Sequence, residues 1–253
     1  MTNILLCGAN GHMGQAVTRA VQNFQDVQIA AGYDINTIQK GGFPVYDNFA
    51  DIKEKIDVLI DFSHPAIFDG IIDYACAHDI PAIICTTGLS ADQRSKIEYA
   101  SRTLPIFFSA NMSIGVNLLI DLVCKAAKIL EHNFDIEIIE KHHNQKLDAP
   151  SGTALAIADA ITDAVDFHPE YIYDRHSVRK KRDNREIGIH AVRGGTIVGE
   201  HSVLFAGTDE VIEIKHSAAS KEVFAVGAVK AALFMKGRKP GLYAMKDLIQ
   251  EQE

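Results

Sequence analysis

The chain has 253 residues, enough for one large domain or two small ones, and its 47% hydrophobic and 23% charged content matches a globular enzyme. Asp and Glu outnumber Lys and Arg by 33 to 25, and the net charge of −8 argues against nucleic acid or an anionic membrane as a partner. No basic N-terminal stretch precedes a long apolar run, and no segment approaches the length of a membrane span, so a cytoplasmic protein is expected. The four cysteines (Cys7, Cys76, Cys85, Cys124) form no Cys-x-x-Cys pair, which predicts free thiols and no structural metal site.

Residues 3–7 form a short apolar strand opening into Gly8-Ala9-Asn10-Gly11-His12-Met13-Gly14, and an amphipathic helix is predicted from Gln15 to about Phe24. Strand, glycine turn, helix is the context of a dinucleotide fingerprint, here spaced Gly-x-x-Gly-x-x-Gly. A second strand, residues 27–33, ends at Asp34, placed to accept hydrogen bonds from adenosine ribose hydroxyls. Apolar strands over 58–63, 82–88 and 106–111 follow, at intervals that leave room for crossover helices. Ligands of such parallel sheets bind beyond the carboxyl ends of the strands, so Ser63, Thr86, Thr87, Asn111 and Met112 are expected to face the nicotinamide.

A helix over 115–131 leads out of this domain, and residues 134–140 read as a strand running into Glu140-Lys141-His142-His143. Lys146 follows, then Pro150-Ser151-Gly152-Thr153, with Ser151 the expected N-cap of an Ala-rich helix. A helix N-terminus suits an anion, and histidine and lysine suit proton transfer, so this stretch predicts a small carboxylate substrate beside an acid. Alternating strands over 186–193, 196–205 and 210–216 predict a sheet covered on one side only, in which His190, His201 and His216 carry no assigned role. The basic run from Arg175 to Arg185 reads as a solvated loop, with an anion-docking segment as the sharper alternative. A long helix over 223–235 closes the chain's regular structure.

The fourteen residues from Glu140 to Thr153 closely resemble the Glu-x-His-His-x-x-Lys-x-Asp-Ala-Pro-Ser-Gly-Thr signature of the 4-hydroxy-tetrahydrodipicolinate reductase (dihydrodipicolinate reductase) family. The stretch from Gly8 to Gly14, the Thr86-Thr87-Gly88 loop and the Ser109-Ala110-Asn111-Met112-Ser113 segment match that family's cofactor elements, with His12, Cys85 and Met112 as departures. The resemblance implies an α/β fold: a Rossmann-like parallel sheet domain (1–113 plus 221–253) and a smaller α+β domain with a mixed, one-side-covered sheet (114–220). It implies NADH and NADPH as cofactors, held by Gly8, Ala9, Asn10, Gly11, His12, Met13, Asp34, Cys85, Thr86, Thr87, Ser109, Ala110, Asn111 and Met112. The negative charge of Asp34 favours NADH. It further implies His142 and Lys146 as the proton-transfer pair, His143, Gly152 and Thr153 as substrate contacts, a cyclic dicarboxylate substrate of lysine synthesis, and a homotetramer.

Other classes stay open at this point. They are another NAD(P)-dependent oxidoreductase of a small carboxylate, a non-enzymatic NADH sensor, and a metal-dependent lyase using His142 and His143 with Glu140 and Asp148. Adjacent strand histidines suit one ion poorly, which counts against the last.

Overall fold

The structure, a computed structural model, describes residues 1–251. Contacts divide the chain into two compact units, Gly115–Ser220 and, around it in sequence, Met1–Ile114 with the described residues from Lys221 onward.

The first unit begins with β1 (Thr2–Cys7), α1 (His12–Val21), β2 (Val27–Tyr33), β3 (Val45–Tyr46) and β4 (Val58–Asp61). It continues through α2 (Phe68–Ala77), β5 (Ala82–Ile84), α3 (Ala91–Ala100) and β6 (Pro105–Phe108). The predicted helix starts three residues early, at His12, because Gly11 is its N-cap and the last glycine lies inside the first turn. That glycine, Gly14, permits the close packing: a Cβ there would stand 2.2 Å from the Gly8 carbonyl oxygen. The predicted strands also end early. Ser63, Thr86 and Thr87 leave the sheet and become loop, which frees them for other contacts.

The second unit comprises α4 (Ile114–Leu130, one residue of which belongs to the first unit), β7 (Asp135–His142), α5 (Gly152–Ala164), β8 (Glu170–Ile172), β9 (Glu186–Arg193), β10 (Gly199–Ala206) and β11 (Val211–Ala218). Its mixed sheet runs β11-β10-β7-β9-β8. Strand β7 alternates part-exposed and buried residues through His142, two positions beyond prediction. Ile136 and Ile138 pack with Ile187, Ile189, Val203 and Phe205 against Leu119 and Val123 of α4 and Ile157 and Ile161 of α5. The opposite face carries Ile139, Leu204, Val192 and Val211, the last 61% exposed. Strand β10 starts at Gly199 and not at Thr196, since Gly194 and Gly195 turn the chain, with Gly195 at φ +50°.

The chain returns through α6 (Glu222–Phe234), β12 (Gly241–Tyr243) and α7 (Met245–Gln250). Strand β12 pairs with β6 and completes a seven-stranded parallel sheet in the order β12-β6-β5-β4-β1-β2-β3. Neighbouring residues of β1 face opposite ways, as a strand's period of two requires. Ile4 and Leu6 join α1 and α6 in one core, and Leu5 joins α2 and α3 in the other. The sheet is therefore covered on both faces, and its strands read as continuous apolar runs for that reason.

The basic run is an exposed loop, as expected, in which Arg175, Lys180 and Arg182 are tied to carboxylates. Arg182 binds Asp135, Glu137 and the carbonyls of Ile136, Asp183 and Glu186; Arg175 binds Glu137 and Glu186, and Lys180 pairs with Glu186 at 3.0 Å. Arg175 in particular, with Lys180, holds the Glu186 carboxyl down at about 2.

Candidate active site

In the first unit the site is built from chain turns at the carboxyl ends of the strands. Gly8 leaves β1 at φ +76°, and any Cβ there would press to 2.6 Å from the Phe62 carbonyl oxygen. The first turn of α1 has no side-chain cap and no acidic residue, so its N–H groups and the positive end of its dipole suit pyrophosphate. Asp34 sits beside this loop. Its Oδ2 accepts the Asn10 N–H at 2.9 Å and its Oδ1 the Asn36 N–H at 3.0 Å. The Asn10 amide donates to the carbonyls of Asn36 and Ile38, at 2.5 and 2.9 Å, tying the glycine loop to the segment after β2. Each carboxylate oxygen keeps an acceptor position for a ribose hydroxyl.

A cleft of roughly 280 Å³ opens among Met13, Ser63, Cys85, Thr86, Ala110 and Phe224, with Phe62, Thr87 and Met112 completing its wall. That volume falls near the lower end for ligand pockets and fits one ring with its ribose better than a whole dinucleotide. Beneath it, the fully buried Asp61 accepts from the Ser63 N–H at 2.9 Å, the Ser63 hydroxyl at 2.5 Å and the Thr86 hydroxyl at 2.7 Å. Burial pushes its carboxyl above the ordinary value, against the pull of those bonds. Burial and Asp61 raise the Cys85 thiol, which keeps this departure from the family pattern protonated and unreactive. Asn111 stands between Ala110 and Met112 of that cleft wall. Its Oδ1 accepts the Ser113 N–H at 2.9 Å, while the Ser109 hydroxyl donates to the Asn111 carbonyl at 2.8 Å, so these two residues fix the loop after β6. His12 is exposed on the first turn of α1. Phe224, from the other end of the chain, carries no local signal that could have placed it here.

In the second unit the site is a knot of charged and polar side chains. Glu140, wholly buried, takes four donors. His142 Nδ1 at 2.6 Å and Arg193 Nη1 at 2.8 Å reach Oε2, and the Ser151 N–H at 3.0 Å and Arg193 Nη2 at 2.7 Å reach Oε1. Burial alone would raise this carboxyl; Arg193, His142 and Ser151 hold it below the ordinary value. Arg193 also donates to the Asp148 carbonyl at 2.7 Å, pinning the loop that leads to α5. Ser151 caps that helix as predicted, its Oγ accepting the Ala154 N–H at 3.2 Å, and hydrogen-bonds His201 Nε2 at 3.1 Å.

His201, read from sequence as a residue without a role, is thus part of this cluster. Its ring stands edge-on to that of His142 at 5.2 Å, and burial with the neighbouring His142 drives it down to about 4, leaving it neutral. Sequence reasoning gave no orienting role to Glu140, Arg193 or His201. The signal available was period two: Glu140 and His142 share one face of β7, opposite His201 and Arg193 on the neighbouring strands.

Lys146 lies four residues past the strand end, its N–H bonded to the His143 carbonyl at 3.2 Å and its Nζ 2.8 Å from Asp148. The Lys146 ammonium, with the Gly152 N–H, keeps the Asp148 carboxyl below its usual range. A carboxylate already rests where a cation and the N-terminus of α5 converge, which shows the anion-holding chemistry of this corner. Gly152 and Thr153 are the first residues of α5, and Gly152 has open space around its α-carbon. His143 follows the strand immediately. No group of three candidate metal ligands among the described residues includes His142 or His143.

Two family patterns together match almost the whole chain: "Dihydrodipicolinate reductase, N-terminus" over residues 2–112 and "Dihydrodipicolinate reductase, C-terminus" over residues 115–249. A 4-hydroxy-tetrahydrodipicolinate reductase of Caldanaerobacter subterraneus subsp. tengcongensis is 52% identical over 251 residues, covering 99% of both chains. One from Clostridium tetani is 50% identical, covering 97% of this chain and 96% of its own. Among solved structures, a dipicolinate-bound dihydrodipicolinate reductase from Paenisporosarcina sp. TG-14 superposes with a TM-score of 0.80 at 24% identity, over 96% of this chain and 97% of the other. A probable dehydrogenase from Thermotoga maritima shares the fold more loosely, with a TM-score of 0.62 at 11% identity over 98% and 92% of the two chains.

Proposed function

The chain belongs to the dihydrodipicolinate reductase family, and from that premise we propose how its residues divide the reaction. It is an NAD(P)H-dependent oxidoreductase that reduces 4-hydroxy-tetrahydrodipicolinate, by way of dihydrodipicolinate, to tetrahydrodipicolinate on the diaminopimelate route to lysine. Bound NAD(P)H supplies the hydride.

The first unit holds the cofactor. The uncapped start of α1 takes the pyrophosphate, Asp34 takes the adenosine ribose, and the cleft over Thr86 and Met112 takes the nicotinamide. Asp34 repels a 2′-phosphate, so NADH is the better cofactor. The second unit holds the dicarboxylate. Thr153 and the N–H groups of Gly152 and Thr153 bind one carboxylate, His143 adds a contact, and Lys146 leaves Asp148 to take up the incoming anion. His142 and Lys146 serve as the proton-transfer pair that completes the reduction. The observation that carries this division is the cluster itself: a buried, carboxylate-bound His142 next to a lysine and a helix start that already hold an anion.

We further place the enzyme in the cytoplasm, in keeping with four free thiols. We also propose a homotetramer, assembled through the sheet face that carries Ile139, Val192, Leu204 and Val211. No helix of the described residues is long and apolar enough to cross a membrane.

Calorimetric titration with dipicolinate, a flat dicarboxylate, tests the substrate half. Lys146→Ala and Thr153→Val should each weaken dipicolinate at least about tenfold, the worth of one charge-assisted hydrogen bond, with NADH affinity unchanged. Native dipicolinate affinity in both variants would remove these residues from the substrate site.

A further inference from the structure

We infer that Glu140 is a positioning residue that sets the tautomer of His142, so that the proton is passed at Nε2, on the edge of the ring that Gly199 leaves uncovered. This rests on His142 being the proton-transfer residue proposed above, and it assigns what that reading leaves open: which nitrogen acts, and what fixes it.

The argument is one of donors and acceptors. An ionised carboxylate offers about four in-plane acceptor positions and no proton. All four on Glu140 are taken: two by Arg193, one by the Ser151 N–H and one by His142 Nδ1. At 2.6 Å, a ring nitrogen without a proton would set its lone pair against that of Oε2, so Nδ1 carries the hydrogen. The neutral ring is then bare at Nε2, and the second proton enters and leaves there.

Gly199, at the start of β10, lies beside that atom. A Cβ at position 199 would stand 3.1 Å from Nε2 and 3.4 Å from Cδ2, so any side chain there would press on the acting edge. The charged and titratable groups that face the ring or its neighbour are Glu140 on its own strand, Arg193 on β9 and His201 on β10, with His216 on β11 and Lys146 from the following loop acting on His201. His201 stays neutral, so Glu140 is the anion in contact with the imidazole. The same carboxylate holds the Ser151 N–H. One group thereby fixes both the proton donor and the start of the helix that receives the substrate carboxylate.

Nitrogen-15 spectra of the whole protein labelled at histidine, with His142→Gln used to assign the resonance, read the tautomer directly. The wild type should show a protonated Nδ1 and a bare Nε2 at alkaline pH. In Glu140→Gln that pattern should be lost. The pH–rate profile of the variant should also lose its alkaline limb about one pH unit earlier, because the imidazolium has lost its anion. Gly199→Ala should lower kcat about tenfold while the tautomer and NADH affinity stay native, the size of effect expected from a small misplacement at a proton donor. A wild-type resonance protonated at Nε2 would overturn the proposal, as would a Glu140→Gln enzyme with unchanged tautomer and profile. Native kcat in Gly199→Ala would remove the role of the uncovered edge. If Glu140→Gln does not fold, the wild-type spectrum and Gly199→Ala still decide. Full turnover in His142→Gln would instead defeat the underlying reading, and the tautomer result would stand apart from it.

Discussion

The two units build their sites from different materials. In the first, the candidate cofactor surface is made of turns: Gly8, Gly11, the uncapped start of α1, and loops after β4, β5 and β6 held by short-range bonds and by the Asp61 carboxylate. In the second, side chains from three strands and one helix are locked together, with Glu140 bound to Arg193 across 53 residues of sequence and Ser151 to His201 across 50. Backbone and dipoles suffice to hold a cofactor that brings its own chemistry. Moving a proton requires a side chain held in one place and one ionisation state, and that takes partners.

Breaking the proton machinery should have the largest effect. His142→Gln and Lys146→Ala are each expected to lower kcat by about 10²–10⁴, the usual worth of general acid catalysis, with NADH affinity retained in a direct binding assay. The converse change belongs to the first unit. Gly14→Ala forces a Cβ into a space 2.2 Å from the Gly8 oxygen and should weaken NADH by about a hundredfold or more. Binding of dipicolinate should survive it. Native cofactor affinity in that variant would mean the glycine turn does not carry the pyrophosphate.

Stability sharpens the same contrast. His201 is driven down to about 4 by burial, while an unfolded histidine titrates near 6.5. The unfolded chain therefore binds the extra proton first, and stability should fall as pH drops from about 6.5 to about 4, by at most about 3 kcal/mol. Glu140 and Glu186, held below their ordinary values, add their own loss at lower pH still. Thermal melts across this range should show a shallower slope in His201→Gln than in the wild type, the remainder including His216, which burial also lowers. Arg182→Ala, which removes the centre of the ion-pair strap over Asp135 and Glu137, should cost about 1–3 kcal/mol in a urea titration. Smallest of all, Asp34→Asn should narrow the preference for NADH over NADPH by about tenfold in kcat/KM, with no change in the proton-transfer step.

The same division explains what was legible in the sequence. Strand β1, the glycine turn and Asp34 lie within one short stretch and follow local rules of periodicity and turn chemistry, so they could be read directly. So could Ser151 as a helix cap, since its partner is only three residues away. Strands β3, β8 and β12 have two or three residues each and cannot display a period; they exist because a neighbouring strand pairs with them. The basic run was read rightly as an exposed loop, but its ion pairs could not be foreseen, because Asp135, Glu137 and Glu186 meet it only after β7 and β9 pair. His201 was set aside on the same ground: an isolated histidine on an alternating strand looks like many others until the register puts it opposite Glu140.

The most direct test of this division of labour is the loss of reduced-nicotinamide absorbance with substrate formed in situ from pyruvate and aspartate semialdehyde, followed for the wild type, His142→Gln and Gly14→Ala side by side. The account predicts rapid oxidation by the wild type, faster with NADH than with NADPH. His142→Gln should bind NADH and fail to turn over, and Gly14→Ala should bind dipicolinate and fail to bind NADH. Turnover by His142→Gln at the wild-type rate, or no oxidation by a wild-type protein that binds both ligands, would contradict it.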